Sequence, residues 1–195
     1  MKEIVIATKN EHKIIEMKKM LEPLEYKVLT LFDFNEFPEI IEDGKTFKEN
    51  ALKKAKELSL YLHKTVVADD SGLEVFALNN EPGVYSARYS GEHKSYEDNN
   101  KLLLKNLKGI KDRKARFVTT ICLYSLNQNP IFFEDYLYGE ITEKAVGTNG
   151  FGYDPIFYLP TLNKTLAELK LDEKNKISHR GKCLVKLINY LKRDL

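Results

Sequence analysis

The chain has 195 residues, of which 43% are apolar and 31% charged, values typical of a globular protein and unlike those of a disordered one. Its formal net charge of +2 argues against a protein built to bind a nucleic-acid backbone, since such proteins carry a basic stripe. No signal-peptide pattern and no apolar run of membrane-spanning length occurs, so we expect a cytoplasmic protein that binds no membrane.

The N-terminal part of the chain is predicted to alternate strands and helices. The apolar run Glu3–Thr8 predicts a strand, and Tyr26–Leu31 predicts a second one. Between them, apolar residues recur at helical spacing at Ile14, Met17, Leu21 and Leu24. Another helix is predicted to follow Thr46, because Thr46 and Glu49 have the spacing of a capping box. Its apolar face consists of Phe47, Ala51, Ala55, Leu58 and Leu62.

The rest of the chain predicts further strands and two more helices. Thr65–Asp69 has the pattern of a buried strand and Ser95–Leu107 that of a helix. Ala115–Leu126 and Ile131–Ile141 are β-rich and are separated by a turn sequence, which predicts an antiparallel hairpin. The last helix presents Leu184, Leu187, Ile188 and Leu191 on one face. This order predicts a mixed α/β sheet, and the absence of a linker predicts a single domain over residues 1–195.

The two cysteines give no sign of chemistry. Cys122 and Cys183 are far apart in sequence, have no metal-ligand spacing, and each lies among apolar residues. We therefore expect two buried free thiols rather than a disulfide or a nucleophile.

Polar residues follow the first predicted strand, in the run Thr8–Lys13. Backbone N–H groups at a helix start, with Lys13 in the first turn, suit a phosphate chain, and Thr8 and Asn10 add neutral hydrogen-bonding groups. The alternative is an ordinary N-cap followed by a solvated lysine face. The run lacks the glycines of a P-loop, which excludes a P-loop kinase or ATPase.

Two adjacent carboxylates, Asp69 and Asp70, stand at the end of the buried strand Thr65–Asp69. Carboxylates at a strand end are typical of Mg²⁺ and general-base sites. Successive strand residues point to opposite faces, so we expect only one of the two to face a cleft. The alternative is an Asx turn leading into Gly72, with both carboxylates solvated.

The segment Gly147–Pro155 is dense in glycine and aromatic residues. Its glycines permit close backbone approach to a ligand, and Phe151 and Tyr153 offer a stacking face for a base. The alternative is a strained loop whose aromatic residues cover the core.

A polar run, Ser178–Gly181, precedes the last helix. Ser178 is a ready N-cap, which is one explanation of the run. His179 and Arg180 are unusual in a first helical turn, because the positive end of the helix dipole disfavours cations. A contact with an anionic or keto-bearing ligand would account for them. No Ser/His/Asp order and no histidine cluster indicates acyl transfer or zinc binding.

With these segments in this order, the chain resembles the inosine-triphosphate pyrophosphatase family, the Ham1-like pyrophosphatases of non-standard purine nucleotides. The resemblance covers essentially the whole chain. It is carried by T-x-N-x-x-K at Thr8–Lys13, ADDSGL at Ala68–Leu73, PGVYSARYSG at Pro82–Gly91, GFGYDPIF at Gly150–Phe157 and SHRG at Ser178–Gly181. Any one of these motifs is weak evidence, but the five in order are specific.

The resemblance implies an α/β fold of the ITPase type, with an elongated mixed central sheet and two α/β lobes flanking an active-site cleft. It also implies a homodimer. The implied reaction is Mg²⁺-dependent hydrolysis of deaminated purine nucleoside triphosphates such as ITP, dITP and XTP to the nucleoside monophosphate and pyrophosphate.

The resemblance also assigns roles residue by residue. The triphosphate would be held by Thr8, Lys9, Asn10, Glu11, His12 and Lys13. Asp70 matches the general base and, together with Glu42, the Mg²⁺ site, with Asp43 as an alternative to Glu42; Ser71 matches a substrate contact. Lys54 faces the phosphates or lies on the surface. The purine would stack on Phe151 and be contacted by Gly152, Tyr153, Asp154, Lys174, His179 and Arg180.

Three other functions stay open on the sequence alone. A pyrophosphatase for another modified nucleotide, such as a pyrimidine, would use the same chemistry. A non-catalytic nucleotide-binding module is disfavoured by the intact carboxylates. A nonspecific RNA or DNA binder is disfavoured by the small net charge, and we expect no nucleic-acid partner.

Overall fold

The computed structural model describes residues 2–92 and 95–193 of the chain. Within them the strands are β1 (Lys2–Ile6), β2 (Tyr26–Thr30), β3 (Thr65–Val75), β4 (Glu81–Pro82), β5 (Lys114–Tyr124), β6 (Ile131–Ile141), β7 (Phe157–Leu159) and β8 (Lys164–Thr165). The α-helices are α1 (Glu11–Leu21), α2 (Phe47–Leu62), α3 (Tyr96–Asn106), α4 (Leu171–Ile177) and α5 (His179–Leu191). No helix among these residues is long and apolar enough to cross a membrane.

The strands form a mixed sheet in the order β2-β1-β3-β5-β6-β7-β8, with β4 paired to β3. β1 runs parallel to both of its neighbours, with Ile4 opposite Val28 in β2 and Ile6 opposite Val67 in β3. The pairs β3–β4, β6–β7 and β7–β8 are antiparallel. The predicted mixed α/β sheet is therefore confirmed, and the two strands of the predicted hairpin are neighbours.

The chain divides into two compact units. The first unit comprises the described parts of residues 1–70, 119–135 and 180–195, and the second unit comprises those of 71–118 and 136–179. Strands β3, β5 and β6 supply residues to both units. The single domain over residues 1–195 stays a prediction.

In the first unit, apolar side chains leave the sheet on both faces. Ile4 and Ile6 belong to a buried cluster with residues of α1 and α5, whereas Val5 and Ala7 belong to a cluster with residues of α2. Adjacent residues of a strand point to opposite faces, so the short run of β1 serves both clusters.

The second unit has a core of its own. Its buried cluster joins Leu73 and Val75 of β3 to Leu103 of α3 and to Phe157 of β7. Phe157 and the other three side chains are fully buried. This core supports the loop Gly147–Pro155, which runs into β7.

Two differences from the predicted elements concern β3 and α4. The strand expected to end at Asp69 continues to Val75, so the Asx turn considered for residues 69–72 is wrong. The extension is explained by β4, because Glu81 and Pro82 pair with Val75 and Glu74. Helix α4 was not predicted, because seven residues are too few for an apolar period to emerge.

Candidate active site

The junction of β1 and α1 begins with a capped helix. Asn10 is the N-cap, and its Oδ1 accepts hydrogen bonds from the backbone N–H groups of His12 (3.0 Å) and Lys13 (3.3 Å). The hydroxyl oxygen of Thr8 accepts from the N–H of Asn10 at 3.1 Å. The helix N–H groups of His12 and Lys13 are therefore already bonded within the chain. The expected N-cap is thus confirmed, but Lys13 does not lie on a solvated face, because its side chain is only 15% exposed and pairs with Asp69.

The two adjacent aspartates of β3 contact different helices. Oδ2 of Asp69 accepts from Nζ of Lys13 (2.9 Å) in α1 and from Nε of Arg180 (3.2 Å) in α5. Oδ2 of Asp70 accepts from Nδ2 of Asn50 (2.9 Å) in α2. Successive side chains of a strand point to opposite faces of the sheet, which explains the different partners. Asp69 lies on the same face as Val67, and Asp70 lies on the same face as Ala68.

Asp69 is part of a buried network of four charges. Arg180, besides its bond to Asp69, donates from a terminal guanidinium nitrogen to Oε2 of Glu16 in α1. Asp69, Arg180 and Glu16 are each at most 3% exposed. With Lys13 the network holds two cations and two anions, which satisfies the requirement that buried charges be paired.

The network shifts the pKa values of its members. Burial would raise the pKa of Asp69, but the attraction of Lys13 and Arg180 outweighs it and holds that pKa well below its usual range. Burial would lower the pKa of Arg180, and Glu16 and Asp69 reverse that effect and raise it. Burial lowers the pKa of Lys13, and Asp69 only partly offsets it. Asp69 and Arg180 are therefore charged at any physiological pH.

The acidic segment before α2 is anchored to that helix by lysines. Oε2 of Glu42 accepts from Nζ of Lys54 at 2.7 Å, and Oδ1 of Asp43 accepts from Nζ of Lys53 at 2.7 Å. Lys54 is buried, and burial lowers its pKa less than Asp70 and Glu42 raise it. Burial raises the pKa of Asp70, partly offset by Lys54. Glu42 therefore shares the electrostatic environment of Asp70, whereas Asp43 pairs with a lysine outside it.

The residues present fit a hard divalent cation bound together with a phosphate. No group of three or more His, Cys, Asp or Glu side chains arranged to hold a metal occurs in residues 2–92 and 95–193. Mg²⁺ in nucleotide enzymes needs only one or two carboxylates, because phosphate oxygens and water complete its coordination. Glu42 and Asp70 offer that number of carboxylates.

In the second unit, the loop Gly147–Pro155 is organised around Asp154. Its Oδ2 accepts from the backbone N–H of Phe151 (2.8 Å) and from Nζ of Lys174 (2.7 Å). Nζ of Lys174 also lies 4.5 Å from the centroid of the Phe151 ring. Gly150 has φ +75°, and a Cβ there would lie 2.1 Å from Oδ2 of Asp154. Three predicted base contacts, Phe151, Asp154 and Lys174, are thus adjacent.

Other predicted base contacts have structural partners. The Tyr153 ring lies in the core, and its hydroxyl donates to the carbonyl oxygen of Ser86 at 2.9 Å. The His179 ring is buried and stacks on Phe117, with centroids 4.7 Å apart. The carbonyl oxygen of Gly152 accepts from Nδ2 of Asn100 at 3.0 Å. Their contacts with a ligand, like that of the half-buried Ser71, stay predictions.

Sequence reasoning missed Asn50 and left Lys54 undecided, although a signal was present. The buried face of α2 runs through Phe47, Asn50, Ala51, Lys54 and Ala55. The two polar residues therefore stand at i+3 and i+7 within an apolar stripe. Polar residues in such positions indicate a buried partner, which Asp70 and Glu42 provide.

Comparison with known proteins identifies the family. The sequence model described as the Ham1 family matches residues 4–190. The chain belongs to the Ham1 family. As a Ham1 protein it is 51% identical over 189 residues to a protein of Bacillus licheniformis named dITP/XTP pyrophosphatase, with 96% of each chain covered. It is 49% identical over 191 residues to a Staphylococcus epidermidis protein of the same name, with 98% of this chain and 97% of the relative covered.

Solved structures agree with this membership. The chain superposes on the Ham1 protein of Staphylococcus aureus with a TM-score of 0.91 and 45% identity, covering all of both chains. The chain therefore shares the fold of that Ham1 protein over its whole length.

Proposed function

We infer that this Ham1 protein hydrolyses the triphosphates of deaminated purine nucleosides, namely ITP, dITP and XTP, to the nucleoside monophosphate and pyrophosphate. The observation that carries the inference is its 51% identity, over 96% of both chains, to a protein named dITP/XTP pyrophosphatase. The enzyme is a nucleoside-triphosphate pyrophosphatase, and its reaction removes damaged nucleotides from the pool.

The triphosphate is proposed to bind at the β1–α1 junction. The residues concerned are Thr8, Lys9, Asn10, Glu11, His12 and Lys13. Burial lowers the pKa of Lys13, and a phosphate beside its ammonium group would stabilise the charged form. Lys54, whose pKa is raised by Asp70 and Glu42 in spite of burial, supplies a second fixed positive charge in the same unit.

Asp70 is proposed to act as the general base. It orients a water molecule and takes its proton while the water oxygen attacks the α-phosphorus. The bond between the α-phosphorus and the oxygen that bridges to the β-phosphorus breaks, and that oxygen leaves with pyrophosphate. Burial raises the pKa of Asp70, which makes its carboxylate a stronger base than an exposed aspartate. Ser71, the next residue of β3, is proposed as a substrate contact.

Glu42 and Asp70 are proposed to hold Mg²⁺. This assignment has two supports. Carboxylate oxygens are ligands that Mg²⁺ prefers, and the ion pair between Glu42 and Lys54 keeps Glu42 in the electrostatic environment of Asp70. When bound, the ion neutralises charge on the phosphate oxygens. The exposed pairing of Asp43 with Lys53 favours Glu42 over Asp43 for this role.

The base edge is proposed to set selectivity. The purine stacks on Phe151, with Gly152, Tyr153 and Asp154 beside it, and Lys174, Arg180 or protonated His179 donates to the keto oxygen at position 6. Adenine carries an amino donor there, so a buried donor would be left unpaired at a cost of about 1–3 kcal/mol, or roughly ten- to a hundredfold in discrimination. The contacts of Lys174 with Asp154 and with the Phe151 ring support it as this donor.

The chain is also proposed to work as a homodimer in the cytoplasm, where its nucleotide substrates occur, and without a nucleic-acid partner. The small net charge supports the last point. Light scattering on the purified protein measures its mass in solution. Twice the mass of the chain supports the dimer, and the mass of one chain contradicts it.

Turnover of separate nucleotides tests the proposed function. The protein and an Asp70→Asn variant are incubated with Mg²⁺ and ITP, XTP, ATP, GTP or CTP, and products are resolved by ion exchange. Monophosphate and pyrophosphate from ITP and XTP, lost in the variant, are expected. Intact nucleotides throughout, or release of orthophosphate alone, would overturn the proposal, and turnover of CTP would indicate a pyrimidine enzyme.

A further inference from the structure

Asn50 is a buried amide that joins two parts of the first unit. It lies in the first turn of α2 and is 1% exposed. Its Oδ1 accepts from the backbone N–H of Gly44 at 2.8 Å, and its Nδ2 donates to Oδ2 of Asp70 at 2.9 Å. One side chain therefore ties the segment that carries Glu42 to the carboxylate proposed as the base.

The orientation of the Asn50 amide is set by its surroundings. A backbone N–H group can only donate, so the side-chain oxygen must face Gly44. The NH₂ group is thereby directed to Asp70, and a reversed amide would place two donors against each other at Gly44 and two acceptors against each other at Asp70. The contact with Asp70 is thus a donor aimed at a carboxylate.

Gly44 leaves no room between its backbone and Asn50. A Cβ at Gly44 would lie 2.6 Å from Oδ1 of Asn50 and 2.9 Å from Cβ of Glu49. The next residue is held as well, because the N–H of Lys45 donates to Oε2 of Glu49 at 2.7 Å. The segment is therefore fixed against the start of α2, and a side chain at Gly44 would displace Asn50.

Capping of α2 does not account for Asn50. The helix start is satisfied by the capping box of Thr46 and Glu49. Anchoring Gly44 needs only the oxygen of Asn50, and the NH₂ group that contacts Asp70 has no part in it. A second role is required for that donor.

We propose that Asn50 is the positioning residue of Asp70. Its Nδ2 fixes one oxygen of the Asp70 carboxylate, and thus the plane of the group, relative to α2 and to the Glu42 segment. This role rests on the proposed function, in which Asp70 activates the water. A displaced carboxylate slows the chemical step, while nucleotide binding is retained.

Steady-state kinetics with dITP distinguish positioning from folding. Asn50→Ala is expected to lower kcat roughly 10–100-fold with KM changed less than about threefold. Gly44→Ala, which keeps both amide groups but displaces them, is expected to lower kcat to a smaller extent. The matched control is Asn99→Ala, because Asn99 is equally buried and its amide joins Ser90 to the carbonyl oxygen of Ala87. The control should lose thermal stability like Asn50→Ala but keep its kcat.

A spectroscopic measurement on the metal-free protein gives a second readout that needs no activity. The Asn50 side-chain NH₂ signals in a ¹⁵N spectrum, assigned by their loss in Asn50→Asp, are expected to exchange slowly with solvent and to shift in Asp70→Asn. The Asn99 signals should not move. This measurement decides the question even where Asn50→Ala does not fold.

The outcomes separate this inference from the function on which it rests. A wild-type protein without pyrophosphatase activity contradicts the proposed function. An active wild type and an inactive Asp70→Asn, combined with an Asn50→Ala variant whose kcat is within threefold of wild type, overturn the role of Asn50 alone. The role of Asn50 is also overturned if its NH₂ signals exchange rapidly with solvent and do not shift in Asp70→Asn.

Discussion

Arg180 donates a hydrogen bond from Nε to Oδ2 of Asp69 across 3.2 Å, although 111 positions separate the two residues in the sequence. Both side chains are almost completely buried. The pair explains why a cation is tolerated in the first turn of α5, where the helix dipole disfavours it. Asp69 and Glu16 supply the compensating negative charge.

Removing one carboxylate of this network should cost much more than removing one at the surface. Glu16→Gln keeps an acceptor for Arg180 but leaves a buried excess of one positive charge, so we expect it to lower the free energy of unfolding by about 3 kcal/mol. The matched control is Glu97→Gln, which breaks the exposed Glu97–Lys101 pair and should cost less than about 1 kcal/mol. Urea unfolding measures both variants. Equal losses would mean that the buried network contributes no more than a surface ion pair.

The parts of the fold that sequence reasoning predicted are those with a local signal. Helix α2 was predicted because the Thr46–Glu49 capping box and a four-turn apolar face both lie within it. Strands β4 and β8 have two residues each and show no period. They exist because a neighbouring strand pairs with them, and that neighbour is distant in sequence.

The candidate site likewise has a part that the sequence predicts and a part that it does not. Its motif residues could be singled out from the sequence, because carboxylates and glycines at element junctions are locally recognisable. Their pairing could not, since the ion pairs of Arg180 depend on how α1, β3 and α5 pack. Glu16 is the clearest example: nothing next to it in the sequence distinguishes it from a solvated helix glutamate, and its partner is 164 positions away.

Gly150 should be required for the arrangement around Asp154. Gly150→Ala combines a positive φ with a contact of 2.1 Å between the new Cβ and Oδ2 of Asp154, the oxygen that holds Phe151 and Lys174. Gly109→Ala is the control, because Gly109 also has a positive φ (+81°) but no atom within 4 Å of the new Cβ. Strain alone costs roughly 1–2 kcal/mol, so both variants lose stability, while only Gly150→Ala is expected to raise KM for dITP at least tenfold. Equal KM values in the two variants would contradict this.

Lys174 should contribute to discrimination between keto and amino purines. Lys174→Met removes the donor proposed to face the keto oxygen, and we expect the ratio of kcat/KM for ITP over ATP to fall roughly ten- to a hundredfold. The fall should come both from poorer use of ITP, which loses a donor, and from better use of ATP, whose amino group no longer faces one. Because the change also leaves Asp154 without its ammonium partner, Lys174→Met/Asp154→Asn is measured alongside to remove the unpaired charge. An unchanged ITP/ATP ratio in both variants would transfer the role to His179 or Arg180, which Arg180→Ala then tests.

The two thiols should be unreactive in the folded protein. Burial raises the pKa of Cys122 to about 12, and burial likewise raises that of Cys183, whose sulfur also lies 3.3 Å from the carbonyl oxygen of Thr119. At pH 8 the thiolate fraction is then on the order of 10⁻⁴, so a disulfide reagent should label both cysteines only after denaturation.

The raised pKa of the two thiols also sets how the stability of the protein depends on pH. The unfolded chain loses these protons above about pH 8.5 and the folded chain only near pH 12, so stability should fall as the pH rises through that window. Between pH 7 and pH 9.5, the free energy of unfolding measured in urea should fall more for wild type than for Cys122→Ala/Cys183→Ala. Rapid labelling of the native protein at pH 8 would contradict the burial of the thiols.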